Sequence, residues 1–193
     1  SGRIIGFGGR ILTGDKHLAK YINSPESEIY NKSKSLYGIF FAKTAIIAKD
    51  NCFLVEGYTD VISLNQAGIE NVVASSGTSL TMEQVKLIQR YTSNITILYD
   101  GDPAGIKASM RGIDMILEQG MNVKIVLFPD GEDPDSFARK NRIAEVESFI
   151  ARNAVNFILF KTRLLLEETT GDPIKKAALK YSLSLNFRAA FTY

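Results

Sequence analysis

Three short stretches of this chain concentrate acids that could hold a cation. EGYTD carries Glu56 and Asp60, YDGDPAG carries Asp100 and Asp102, and PDGEDPD carries Asp130, Glu132, Asp133 and Asp135. Each has a plain local explanation. Asp-Gly is a turn signal, and Asp102 before Pro103 reads as a helix N-cap followed by proline at the first helical position. Asp133 and Asp135 frame Pro134 as turn and cap, and Asp60 can cap the helix it begins. Gathered on one rim, however, the carboxylates would repel one another by about 1 kcal/mol per pair at 4 Å in water, and by more where solvent is excluded. A hard divalent cation removes that repulsion. Mg²⁺ in particular binds through one or two carboxylates and keeps waters for substrate phosphates. Two such ions, roughly 3.5 to 4 Å apart, stabilise the attacking and leaving oxygens in phosphoryl or nucleotidyl transfer. Competing chemistries are poorly supplied: there is no GxxxxGK[ST] loop, GFGGR at 6–10 is not GxGxxG ahead of a helix, Cys52 has no histidine near it in sequence, and His17 lies outside the acidic segment.

The elements around these stretches decide which acids can meet. Apolar runs rich in β-branched residues occur at CFLVEG (52–57), NVVAS (71–75), ITILYD (95–100) and VKIVLF (123–128). Each interval holds an amphipathic stretch of helical length. The first carries Val61, Ile62 and Leu64 and stops near Gly68. The second opens on a capping box, Thr81 with Gln84, and the third runs from Pro103 to Gly120. Strand and helix in alternation predict an α/β fold with a parallel sheet, connected by right-handed crossovers. Ligands of such sheets collect beyond the carboxyl ends of the strands. Glu56 ends the first strand, Asp100 and Asp102 end the third, and PDGEDPD follows the fourth. A 2-1-3-4 order, inferred from the site, would set Glu56 directly beside the aspartate pair.

The flanks read differently. Residues 1–49 are glycine-rich at GFGG, loop-like through SPES and helical from about Lys32 to Lys49, as part of another subdomain. Residues 135–193 read as helical throughout, with AVNFILFKTRLLLEE strongly apolar and GDPIKKAALKYSLSL opening on Asp172 as cap and Pro173. The net charge of +2 conceals segregation: residues 1–49 hold eight basic residues against three acids, residues 50–138 five against thirteen, and residues 139–193 ten against five. An acidic centre that collects cations, between basic neighbours that meet a polyanion, fits this pattern.

The 193 residues, 45% hydrophobic, suffice for one core and a smaller companion. No apolar run approaches the roughly 18 residues that span a bilayer, and the N-terminus has no secretory pattern, so the chain reads as cytoplasmic. One cysteine excludes an internal disulfide, and with one histidine it excludes a Cys/His zinc cluster. Cys52 reads as a small buried residue and His17 as a solvated one. The ending FRAAFTY lacks a helix terminator, which reads as an excised fragment.

EGYTD, YDGDPAG and PDGEDPD, in this order at these strand ends, resemble the Toprim domain, whose glutamate and Asp-x-Asp bind divalent metal. GFGGRIL, KYINSPESEIYNKSKSLYG and ASSGTSLTMEQ narrow the resemblance to the catalytic core of bacterial DnaG-type primases, from about Gly6 to about Arg139. The resemblance implies a Toprim-type, Rossmann-like parallel sheet flanked by helices (50–134), part of a basic N-terminal subdomain (1–49) and a helical C-terminal subdomain (135–193). It implies RNA primer synthesis on single-stranded DNA from ribonucleoside triphosphates, with Mg²⁺ or Mn²⁺. Glu56, Asp100 and Asp102 match the central acids, Glu56 as ligand or base, and Asp60, Asp133 and Asp135 match further acids of the metal site. Arg10, Lys20 and Lys32 match residues that bind nucleotide phosphates, and Asn23 belongs to the same motif. A replicative helicase is the implied partner, through a region absent from this chain; no membrane is implied. Pro103 stands where relatives often have a basic or small residue, and SPES replaces the commoner SPET. The zinc-binding domain that usually precedes this core cannot be formed here. Two alternatives remain open on the residues alone: phosphodiester cleavage on the same fold, and a non-catalytic module that binds single-stranded DNA.

Overall fold

The computed structural model describes residues 2–10, 21–75, 79–100, 112–129 and 131–168. The chain divides into two compact units, Ser1–Ala154 and Val155–Tyr193.

The first unit opens with an antiparallel ribbon, β1 (Gly8–Arg10) against β2 (Tyr21–Asn23), in which Gly8 faces Asn23. The following residues depart from the helix expected over 32–49. Lys32–Lys34 form one 3-10 turn, the chain is then extended, and α1 begins only at Ile39 and runs to Lys49. The cause is a competing partner. Tyr37 donates its N–H to Ala74 O at 2.9 Å and accepts from Ala74 N–H at 3.1 Å, so it serves as a bridge on an open sheet edge. Gly38 then turns the chain into α1 at a φ of 84°, a conformation that L side chains rarely adopt.

The sheet is the one anticipated. β3 (Cys52–Val55), α2 (Tyr58–Gln66), β4 (Val72–Ala74), α3 (Met82–Gln89), β5 (Asn94–Tyr99), α4 (described over 112–118), β6 (Asn122–Leu127), α5 (Pro134–Lys140) and α6 (Ile143–Asn153) follow in sequence. The strands stand side by side as β4-β3-β5-β6, all parallel, which is the 2-1-3-4 order. β5 is buried from Ile95 to Tyr99, as a parallel strand covered on both faces must be. Helix ends fall where their local chemistry places them. Gly68 and Gly120 carry positive φ just beyond α2 and α4, and Thr81 and Gln84 form a complete capping box. Phe128, Phe137 and Phe149 stack with centroids 4.6 to 5.3 Å apart, fastening α5 and α6 to the end of β6. Cys52 is buried in the core, as expected.

In the second unit the expectation of continuous helix is corrected. Val155–Asn156 is a short strand, β7, and α7 starts only at Phe157 and runs to Glu168. Asn156 explains the break, because its Oδ1 accepts the Ile158 N–H at 2.9 Å and so caps the helix. His17, Pro103, Asp172 and Pro173 lie outside the described residues. No helix among the described residues is long and apolar enough to cross a membrane.

Candidate metal centre

The rim is built by strand register. Cys52 pairs with Ile95 and Leu54 with Ile97, so extending the register by two residues sets Glu56 beside Tyr99, with Asp100 one residue further on. Both acids leave their strands at the carboxyl edge, and both are exposed. Asp60 sits in the first turn of α2 and is 93% buried; its Oδ2 accepts the Gly57 N–H at 3.0 Å, closing the turn that follows Glu56. Asp133 caps α5, its Oδ1 accepting the Ser136 N–H at 2.7 Å, with Pro134 at the first helical position.

These acids influence one another. Burial, with the charges of Asp133 and Asp100 adding to it, pushes the Asp60 carboxyl up to about 6, against the backbone N–H groups of Gly57 and Asp135 that favour its ionised form. Asp100 and Asp133, whose charges act on Asp60, come from chain segments separate from it and from each other. Asp135 is also buried and accepts hydrogen bonds from Ser63 Oγ at 2.5 Å and Arg139 Nε at 2.7 Å, while Lys140 holds Glu132 at 2.5 Å. The Lys140 and Ser136 hydrogen bonds hold the Glu132 carboxyl below its usual range.

The donor set is all oxygen and contains several carboxylates under mutual repulsion, which suits a hard divalent cation. Among the described residues no three acids, histidines or cysteines converge into a complete cation site; Asp102 and Asp130 lie outside the described residues.

Of the residues expected to meet phosphates, Asn23 lies in β2 opposite Gly8. A Cβ on Gly8 would come within 2.5 Å of the Tyr58 ring, so glycine is what lets the ribbon lie against the start of α2, two residues past Glu56. Lys32 lines a cavity of about 470 Å³ together with Gly8, Tyr58 and Ser75. Arg10 ends β1, and Lys20 lies outside the described residues.

Sequence reasoning missed the contacts that hold this arrangement. Gln84, fully buried, accepts the Thr81 N–H and also donates to Lys32 O at 3.1 Å and Ser35 O at 2.8 Å, so the capping residue of α3 fixes the turn that carries Lys32. Glu26 of SPES accepts the Lys32 N–H at 2.9 Å. Ser63 and Arg139 were legible only as spacings, three residues after Asp60 and four after Asp135, which put each pair on one helix face.

Two protein-family models match the chain: one described as Toprim-like over residues 53–138, the other as DNA primase catalytic core, N-terminal domain, over residues 1–43. The DNA primase of Clostridium acetobutylicum is 48% identical over 166 residues, 86% of this chain and 27% of that protein. The DNA primase of Staphylococcus epidermidis is 39% identical over 167 residues, 86% of this chain and 28% of that protein. The chain thus spans about a quarter of the length of these curated relatives. Among solved structures, a DNA primase domain from Pseudomonas aeruginosa superimposes with a TM-score of 0.82 at 37% identity, covering 92% of this chain and 56% of that one. A DnaG primase catalytic domain bound to single-stranded DNA gives 0.80 at 37%, covering 93% and 58%.

Proposed function

This chain belongs to the DnaG-type bacterial DNA primases, and we propose that it carries the nucleotidyl-transfer centre with which such a primase makes RNA primers on single-stranded DNA in the cytoplasm. The supporting observation is the meeting of Glu56 and Asp100 at adjacent strand ends, with Asp60 and Asp133 close enough to act on each other's charge. Glu56, Asp100 and Asp102 hold Mg²⁺ or Mn²⁺, with Asp60, Asp133 and Asp135 around them. When bound, such ions supply charge stabilisation to the attacking 3′-hydroxyl, the α-phosphate and the leaving pyrophosphate.

The chain's own residues do the remaining work. Arg10, Lys20, Asn23 and Lys32 orient the triphosphate of the incoming ribonucleotide from the basic side. The ribbon's seat on Tyr58 sets the distance between that basic side and the acidic rim. Template DNA is held through its backbone by the basic flank, as the relative bound to single-stranded DNA leads one to expect. A replicative helicase is a partner of the longer protein.

The test is a chimaera in which this chain replaces the matching segment of the Clostridium acetobutylicum primase, incubated with template, ribonucleotides and Mn²⁺. Primer synthesis that is lost in Asp100→Asn and Glu56→Gln supports the proposal. Cleavage of labelled DNA without synthesis would replace it with a nuclease.

A further inference from the structure

We propose that Ser63 and Arg139 are positioning residues for the cation site, acting through Asp135; this rests on the metal-holding role given to the acidic rim above. Ser63 is buried on α2, and its hydroxyl donates to Asp135 Oδ1 at 2.5 Å. Arg139, one turn along α5, reaches the same oxygen with Nε at 2.7 Å and stands 3.5 Å from Ser63 Oγ. A third contact ties the backbone, because the Asp135 N–H donates to Asp60 Oδ1 at 3.3 Å. Asp60 and Ser63 are three residues apart on one face of α2, so α2 grips residue 135 by main chain and side chain at once.

The grip solves a physical problem that the acids create. Asp60 and Asp135 are both buried where α2 meets α5, and a buried carboxylate is costly unless its oxygens are hydrogen-bonded. A hydroxyl and a guanidinium on the Asp135 oxygen offset that cost with donors, and they do so from both helices. The first turn of α5 is thereby fixed against α2. Asp133, whose charge acts on Asp60, caps that same turn two residues before the grip. Loss of the grip releases the turn and shifts Asp133 relative to Asp60 and Asp100. Cation affinity depends on oxygen positions, and hydrogen-bonding partners behind ligating carboxylates typically change it about 10- to 100-fold.

Mn²⁺ titrated calorimetrically into the 193-residue chain tests this, with thermal unfolding recorded without the ion. Ser63→Ala and Arg139→Gln are expected to weaken Mn²⁺ binding about tenfold or more, and Ser63→Thr, which keeps the hydroxyl, to recover most of the loss. Arg139 is two-thirds exposed, so its variant decides the matter if Ser63→Ala fails to fold. Mn²⁺ binding within about twofold of the unsubstituted chain, with only the unfolding temperature lowered, would reduce the grip to a structural latch. Tighter binding in Arg139→Gln would also overturn the proposal, since the guanidinium would then merely compete with the cation. Failure of the unsubstituted chain to bind Mn²⁺ is a separate result, and it overturns the metal-holding reading itself.

Discussion

The buried carboxylate of Asp60 accepts the backbone N–H of Asp135 at 3.3 Å across 75 residues of sequence. One acid thus closes its own helix start through Gly57 and fixes the start of α5 through Asp135. It does so while paying a solvation penalty, since it is buried and faces the charges of Asp133 and Asp100.

That penalty gives a pH dependence. The Asp60 carboxyl titrates near 6 in the fold against 3.8 for the free side chain, so the folded state holds its proton more tightly than the unfolded state. The sign follows: this group's effect on stability is neutral below about pH 4, grows unfavourable as pH rises to about 6 and is constant beyond. The full shift corresponds to about 3 kcal/mol. Urea unfolding between pH 4 and 7 is expected to show this fall in the unsubstituted chain and to lose it in Asp60→Asn. Mn²⁺ at pH 7 is expected to reverse part of it.

Removing a neighbouring charge relaxes the same group. Asp100→Asn and Asp133→Asn are each expected to lower the Asp60 titration midpoint, followed by carboxyl carbon NMR, without returning it to the ordinary range, because burial is the largest cause. Asp100→Asn is also expected to weaken Mn²⁺ binding by more than about tenfold, a loss at least as large as that of an outer hydrogen-bond partner.

Gln84 joins the sheet-covering α3 to the turn that carries Lys32. Replacing it by methionine leaves the carbonyls of Lys32 and Ser35 and the Thr81 N–H without their amide partner. A loss of about 2 to 4 kcal/mol in urea unfolding is expected, with faster amide exchange at Thr81.

Phe128 is 3% exposed and contacts both other rings of the aromatic trio that fastens α5 and α6. Phe128→Ala is expected to cost about 3 to 5 kcal/mol and, by loosening α5, to weaken Mn²⁺ binding as well.

Lys32 is proposed to meet phosphate. Lys32→Ala is expected to weaken binding of a ribonucleoside triphosphate in the presence of Mn²⁺ by about 1.5 to 3 kcal/mol, read by titration calorimetry. Unchanged affinity would place Lys32 away from the triphosphate.

The sequence by itself determined the alternation of strands and helices, the caps at Thr81 and Asp133, and the family, because these rest on local periodicity, local hydrogen bonding and contiguous motifs. It also placed Glu56, Asp60, Asp100 and Asp133 at strand ends and helix starts, since the direction of a parallel strand fixes which end its last residue occupies. Where a distant segment competed for the backbone, local reading failed. The helix expected from Lys32 yields to Tyr37 bridging Ala74, and neither stretch announces the other. Only the tertiary structure decided that Gln84 reaches Lys32, that Gly8 must be bare for Tyr58, and that Ser63, Arg139 and Asp60 converge on Asp135. Apart from the Arg139–Asp135 pair within α5, those contacts join residues 50 to 75 positions apart, and their energies depend on burial and, for those to Asp135, on the packing of α2 against α5. Such long-range terms exist only once the sheet has brought the two helices together.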